Sequence, residues 1–226
     1  MSAAPDLVIF GLSNILSDLF DCALANGLRL GKIVRHLPHI DGERDISLEQ
    51  RLQAVARIAP PPSVVELDEF VPQANEVYML GPTTPERAAL AALLQQRFGL
   101  QFHTLVHPTA YVSPLASLGR GVFVGANSVI GPGAVLADHV FINRGVTVGH
   151  DTKIASFSRL QPGCNVGGLS EIGYGVTVAI GATLLERLRI GDHAFIGAGA
   201  VATSDVDAQT LVVGIPAKFK KHLAPE

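Results

Sequence analysis

An aliphatic residue returns every six positions from Val106 to Ile196, passing through Val112, Leu118, Val124, Ile130, Leu136, Ile142, Val148, Ile154, Leu160, Val166, Ile172, Val178, Leu184 and Ile190. Sixteen consecutive hexads keep this register without a slip. Neither the 3.6-residue period of a helix nor the two-residue alternation of a strand repeats at six. The position four after the aliphatic residue is small or compact, as in Ala110, Ala116, Ser128, Ala134, Thr152, Ser158, Cys164, Ala182, Ala194 and Ala200. The position one after it is often glycine: Gly119, Gly125, Gly131, Gly149, Gly167, Gly173, Gly191 and Gly197. Such a unit reads as one short strand and one corner. The aliphatic residue points inward, the small residue fills the corner, and the glycine is expected to supply permissive backbone angles. Three hexads close a triangular coil, so the repeat makes a little over five coils, and at roughly 4.8 Å per coil the prism stands about 25 Å tall.

The residues before this repeat follow another pattern. Residues 6 to 12 read as a buried strand, about Asn14 to Ala25 as a helix stopped by Gly27, and about Leu30 to Leu37 as a second strand. Glu76 to Leu80 reads as a third strand ended by Gly81-Pro82, Pro85 to Phe98 as a helix stopped at Gly99, and Pro60-Pro61-Pro62 as a stiff loop. Strands alternating with helices predict a small parallel α/β sheet. A strand near Leu100 to Leu105 is expected to lead into the prism. The domains are therefore residues 1–104, Rossmann-like, and residues 105–226, the β-helix with its tail. The first turn, Gly11-Leu12-Ser13-Asn14, lacks the GxGxxG phosphate fingerprint. A phosphate-bearing ligand at this turn and a sheet-packing domain with no ligand of its own both remain open.

A formal charge of −3 without any block of like charge leaves no electrostatic footprint for nucleic acid or an anionic membrane. No apolar run approaches the roughly 18 to 20 residues of a spanning helix. Met1 to Asp6 carries no basic stretch before its apolar segment, so a cytoplasmic location is the expectation. Cys22 and Cys164 are far apart, which predicts two packed, reduced thiols.

Three runs carry a resemblance: Val106-His107-Pro108-Thr109-Ala110-Tyr111-Val112-Ser113-Pro114, Ile142-Asn143-Arg144-Gly145-Val146-Thr147-Val148-Gly149-His150-Asp151, and Gly214-Ile215-Pro216-Ala217-Lys218. With the repeat, they resemble the hexapeptide-repeat sugar O- and N-acyltransferases of the sialic acid and bacillosamine type. The resemblance implies left-handed coils, a homotrimer with active sites between neighbouring prisms, acetyl-CoA as donor, and a nucleotide-linked sugar as acceptor. The chain departs from that family in three places. Gly11-Leu12-Ser13-Asn14 and Val34-Arg35-His36-Leu37 stand where a glycine-histidine turn and an aspartate pair are usual, and Arg159 stands where a second site histidine is usual.

Acyl transfer from a thioester needs a base for the acceptor proton, a group that orients the base, and a donor for the oxyanion. His150 lies two positions after the inward Val148, hence on the outside near a corner. It is a solvated turn histidine or the base, and the Asn143, His150, Asp151 run favours the base. Asp151 either orients His150 or is a surface charge. Asn143 is a turn residue, since asparagine tolerates left-handed angles, or an acceptor-binding amide. Gly168, eighteen residues and one coil after His150, is a corner glycine or an oxyanion donor. The resemblance further implies Arg159 and Gly11 on the acceptor side, and Gly168, Ile180, Ala198 and Lys218 on the coenzyme A side. Lys218 also reads as part of a basic tail with Lys220 and Lys221.

No metal is expected. His139 and His193 are three coils apart, and Arg144 follows His139 by five residues where a zinc carbonic anhydrase would need a close histidine pair. His107, before Pro108, is expected to be structural. The leading expectation is N-acetylation of a nucleotide-linked amino sugar for surface glycan synthesis. O-acetylation or transfer of another acyl group to a non-nucleotide acceptor, and a non-catalytic trimeric scaffold, are the alternatives.

Overall fold

The computed structural model describes residues 4–37 and 42–224. The first three residues, part of the stretch read above for a leader, and the last two of the tail lie outside the described residues. The chain divides into two compact units: Met1–Thr83 with Ala89–His103, and Thr84–Ala88 with Thr104–Glu226. The division falls beside the expected boundary at residue 104, except that residues 84–88 group with the prism.

The first unit contains β1 (Asp6–Phe10), α1 (Leu16–Ala25), β2 (Arg29–Arg35), α2 (Leu48–Val55), β3 (Ser63–Glu66), β4 (Glu76–Leu80) and most of α3 (Arg87–Phe98). Its strands are parallel in the order β3-β2-β1-β4. Central β1 is apolar on both faces, and Leu7, Val8, Ile9 and Phe10 are all buried, as a parallel strand covered on both sides requires. Phe10, Phe70, Tyr78 and Phe98 meet edge-on or tilted at centroid separations of 5.0 to 6.4 Å. Gly27 takes a φ of 71° just past α1, the left-handed stop that glycine adopts without a Cβ penalty. Two elements go beyond the sequence expectation. α2 opens with a reciprocal capping box, Gln50 N–H donating to Ser47 Oγ and Ser47 N–H to Gln50 Oε1. β3 is a short, half-exposed edge strand after the proline run. The strand expected near Leu100 to Leu105 does not form: Phe102 makes an isolated bridge to Tyr78, and Leu105–Val106 is already the first strand of the prism.

The second unit is a left-handed parallel β-helix. Strands of two residues stack into three sheets, and partners are eighteen residues apart, as Val148 with Val166 and Ile154 with Ile172. The sixteen hexads place Val124, Ile130, Leu136, Ile142, Val148 and their successors in one buried aliphatic core. The small residues do fill corners: Ala134, Thr152, Ser158, Cys164, Ala182 and Ala200 have no exposed surface. Buried hydroxyls there find carbonyls, with Ser128 Oγ donating to Asn143 O at 2.7 Å and Ser158 Oγ to Gly173 O at 2.6 Å.

The reason for the glycines differs from the expectation. Left-handed angles recur every six residues, but three positions after the aliphatic residue, at Gly121, Asn127, Gly133, His139, Gly145, Asp151, Phe157, Gly163 and onward. The glycines one position after it have no positive φ. They are there because successive coils approach closely: a Cβ on Gly149 would lie 2.4 Å from Gly168 N, and one on Gly167 2.4 Å from Glu186 N. Residues 84–88 lie along the prism through Arg87, whose buried guanidinium donates to Thr84 O at 2.9 Å and His139 O at 2.5 Å and sits over the Phe157 ring. Burial, helped by the Arg159 charge, pushes Arg87 down to about 9. The unit ends in an antiparallel hairpin of Thr210–Val213 with Lys218–His222.

Candidate functional site

Three of the residues singled out from the sequence come together at one edge of the prism, between the sheet of Val148 and the sheet of Ile154. His150 Nδ1 is 2.8 Å from Asp151 Oδ2, and both side chains are 58% exposed, open to a ligand. Asp151 holds a left-handed φ of 56°, and its N–H donates to Pro132 O one coil below at 2.9 Å. Asp and Asn are the side chains that tolerate this conformation best. Leu169 N–H in turn donates to His150 O at 2.8 Å, so the backbone of the pair is tied to the coils on both sides.

The imidazole lies across Gly168. A Cβ there would stand 2.7 Å from His150 Nε2 and 2.8 Å from Cδ2, so only glycine leaves room for the ring in this position. Gly149 has no side chain to cover Gly168 N, which it approaches most closely of all. An Nδ1–H donated to the carboxylate leaves the lone pair on Nε2, the ring atom nearest Gly168, and this is the tautomer that a general base needs.

The remaining residues do not join this cluster within one chain. Asn143, Ile180 and Ala198 lie on a different edge, between the sheet of Ile142 and the sheet of Val148. Asn143 is 5% exposed, its Oδ1 accepts from Arg144 N–H at 2.8 Å, and its Nδ2 reaches Gln161 Oε1 at 3.4 Å. Its φ is not left-handed. The left-handed residue of this corner is Gly145, which corrects the turn reading of Asn143. Ile180, 61% exposed, and Ala198 stand on the outer surface. Arg159 projects from the outer face of the sheet of Leu160, its Nε donating to Thr177 Oγ1 at 3.0 Å. Lys218 is exposed at the start of the last strand, beside Ala217 and Phe219 at a small cleft.

Gly11, in the first unit, follows β1 with a φ of 81°. A Cβ there would come within 2.9 Å of His36 Cε1 and Pro82 Cδ, so the turn is closed by a histidine from the end of β2. Ser13 Oγ donates to Gly81 O at 2.7 Å across the same end of the sheet.

Several other candidates take structural roles. His139, Phe157, Tyr174 and His193 form a continuous ring column at centroid spacings of 4.8 to 5.6 Å. Burial pushes His139 down to about 4. His107 Nδ1 accepts from Thr109 N–H at 3.2 Å, a local turn contact. Burial raises both Cys22 and Cys164 to about 12, which leaves neither thiol a nucleophile near neutral pH. Among the described residues no group of three His, Cys, Asp or Glu side chains gathers as metal ligands, and no helix is long and apolar enough to cross a membrane. The sequence reading passed over Gly133. The left-handed corners fall two residues later than the glycines picked out from the sequence, and Gly133 occupies one of them.

Residues 115–150 match the bacterial transferase hexapeptide (six repeats) family. The chain is 32% identical over 137 residues to serine acetyltransferase of Escherichia coli K12, covering 59% of this chain and 44% of that protein. It is 36% identical over 136 residues to probable serine acetyltransferase 1 of Oryza sativa subsp. japonica, covering 59% of this chain and 40% of that protein. The chain thus spans less than half the length of these curated relatives. Over nearly the whole chain it is similar to the acetyltransferase domain of PglB from Neisseria gonorrhoeae, with 25% identity, a TM-score of 0.80, and coverage of 96% of this chain and 100% of that one. That domain has also been solved in complex with acetyl coenzyme A. PerB from Caulobacter crescentus, solved with CoA and GDP-perosamine, shares the fold at 23% identity and a TM-score of 0.76, covering 96% of this chain and 97% of that one.

Proposed function

We propose, from the premise that this chain belongs to the hexapeptide-repeat proteins, that it is an acyl-CoA-dependent acetyltransferase acting on the amine of a nucleotide-linked sugar. The observation that carries the reading is the exposed His150–Asp151 pair lying over Gly168. His150 Nε2 takes the proton of the acceptor amine as its nitrogen attacks the thioester carbonyl. Asp151 holds the proton of Nδ1 and stabilises the imidazolium that forms. The negative charge gathering on the carbonyl oxygen falls to Gly168 N–H. When the tetrahedral intermediate collapses, the carbon–sulfur bond breaks and the coenzyme A thiolate leaves, taking its proton from His150. Ile180 and Ala198 line the pantetheine arm, Lys218 meets a coenzyme A phosphate, and Asn143 and Arg159 face the acceptor. His150 and Asn143 lie on different edges of one prism, which supports a site completed by a neighbouring copy, and the homotrimer is what the family resemblance implies. The likeness to PerB, solved with CoA and GDP-perosamine and covering 96% of this chain, supports the nucleotide-sugar acceptor.

A second reading, O-acetylation of a small hydroxyl acceptor, is favoured by the serine acetyltransferases among the sequence relatives. The test is thiol release from acetyl-CoA with matched panels of nucleotide-linked amino sugars, nucleotide-linked hydroxyl sugars and serine, comparing wild type with His150→Ala. The expected result is turnover with one amino sugar, a hydroxylamine-stable product, and a loss of about 10²- to 10⁴-fold in the variant. A hydroxylamine-labile product moves the reading to the second acceptor class. Equal release by both proteins removes His150 as the base.

A further inference from the structure

We propose that Gly133 is a positioning residue for the His150–Asp151 pair, an inference that rests on the acyltransfer reading above. Gly133 lies one coil below Asp151, and a Cβ built on it would stand 2.2 Å from Asp151 Oδ1 and 3.1 Å from Cγ. No real Cβ sits so close to an oxygen, so any side chain at 133 moves the carboxylate. The other oxygen of that carboxylate is the one that holds His150 Nδ1 at 2.8 Å. The Asp151 backbone has no freedom to compensate, because its N–H is bonded to Pro132 O and its φ is left-handed.

The left-handed angle at Gly133, 71°, does not itself account for a glycine. The same corner position is filled elsewhere in this prism by Asn127, His139, Phe157, Leu169, Arg187 and His193, all at φ between 57° and 64°. What separates Gly133 from those positions is the carboxylate in the space a Cβ would take. Gly168 does the same for the ring from above, its missing Cβ leaving room for Nε2. The pair therefore occupies a diagonal recess between two glycines, His150 leaning up into one and Asp151 down into the other. Filling the lower one turns the carboxylate away from Nδ1 and frees the imidazole to carry its proton on Nε2, where it cannot act as a base.

The prism supplies its own control. Gly163 has the same corner geometry, with φ of 68°, but nothing within 4 Å of its Cβ position. Asparagine is already accepted at this position at Asn127, so Gly133→Asn and Gly163→Asn share a backbone cost and differ in the contact with Asp151. Two measurements are made on each full-length protein: the tautomer of His150 from imidazole nitrogen chemical shifts, and thiol release with the acceptor found above. Gly133→Asn is expected to lose the Nδ1–H preference and at least about tenfold in kcat, with coenzyme A Kd by calorimetry within about twofold of wild type. Gly163→Asn keeps the tautomer. In an Asp151→Ala background, Gly133→Asn adds less than about twofold, because the group it displaces is already gone. Gly133→Ala repeats the test with a smaller side chain if the asparagine variant does not fold. A wild-type tautomer in the Gly133 variants, or the same loss with and without the Asp151 carboxylate, overturns the proposal. A shifted tautomer in a protein that transfers no acyl group upholds the positioning role and removes the acyltransfer reading instead.

Discussion

Both units of this chain are built on parallel strands, but they encode their contacts at very different ranges. In the prism, each residue touches the one eighteen positions away, so its place within the hexad states whether it faces inward, turns a corner or stands outside. In the first unit, β1 pairs with β2 and with β4, matching Asp6 with both Arg29 and Glu76, and no constant separation links those partners. Repetition makes structure local and therefore readable. A crossover fold shows its elements but not their order, because strand order is decided by which faces can be buried together.

The strongest way to break this comparison is to delete equivalent core atoms in both units. Ile130, Ile142 and Ile154 occupy the same hexad position and are at most 1% exposed. Changing each in turn to alanine is expected to cost about 3 kcal/mol, with a spread near 1 kcal/mol, because each leaves the same cavity between the same kinds of neighbour. Ile9 and Ile33 are equally buried on adjacent strands of the first unit. Their alanine variants are expected to differ from one another by more than the three prism variants do, since the elements around them differ. Urea denaturation of the five proteins measures this. A prism spread as wide as the difference in the first unit would mean that hexad position does not set the energetics.

A smaller effect comes from acid. His139 lies in the ring column of the prism and is pushed by burial, and then by Arg87, from 6.5 down to about 4. In the folded protein it stays neutral while pH falls from 6.5 towards 4, whereas in the unfolded chain it takes up a proton. The unfolded state binds more protons in that window, so stability is fully present above pH 6.5, declines through the window, and levels off below pH 4. The loss is at most about 3 kcal/mol. His139→Gln removes that part of the slope in a series of unfolding midpoints between pH 7 and pH 4. His36 and His103 of the first unit are also lowered by burial, so the slope that survives the substitution assigns the rest of the acid sensitivity to them. An unchanged slope would remove His139 as the prism's acid-sensitive group.

The same difference in range explains what was legible. The sixteen inward aliphatics, the corner residues and the adjacency of His150, Asp151 and Gly168 follow from counting by six and by eighteen, and all three features are present. Counting did not reveal why the glycines beside the aliphatics are glycines, because steric approach between coils leaves no mark distinct from backbone freedom. It left Asn143 open as a turn residue or an acceptor-binding amide, and the left-handed residue of that corner is Gly145. It also did not reveal that Asn143, Ile180 and Arg159 sit away from His150, since sequence position gives the edge of the prism only once the coil is closed. In the first unit, β3 was missed because a half-exposed four-residue edge strand has little periodicity. Residues 84–88 group with the second unit, where Arg87 reaches a prism carbonyl that no local pattern announces.

α2 was missed for a different reason, and it sharpens the comparison at the smallest scale. Its signal was present: Ser47-Leu48-Glu49-Gln50 is a capping-box sequence, and both hydrogen bonds form, Gln50 N–H to Ser47 Oγ at 3.2 Å and Ser47 N–H to Gln50 Oε1 at 3.0 Å. The helix buries little beyond Val55, so its hydrophobic pattern is faint and the cap carries much of the information. Ser47→Ala removes the acceptor for one otherwise unbonded helix N–H and is expected to lower stability by about 1 kcal/mol, with thiol release unchanged. Hydrogen exchange resolves where that loss falls. Faster exchange confined to residues 48–55 would mean that α2 stands largely on its own cap, while a loss spread over the sheet would mean that the helix is bound to the core through tertiary packing that its sequence pattern does not display.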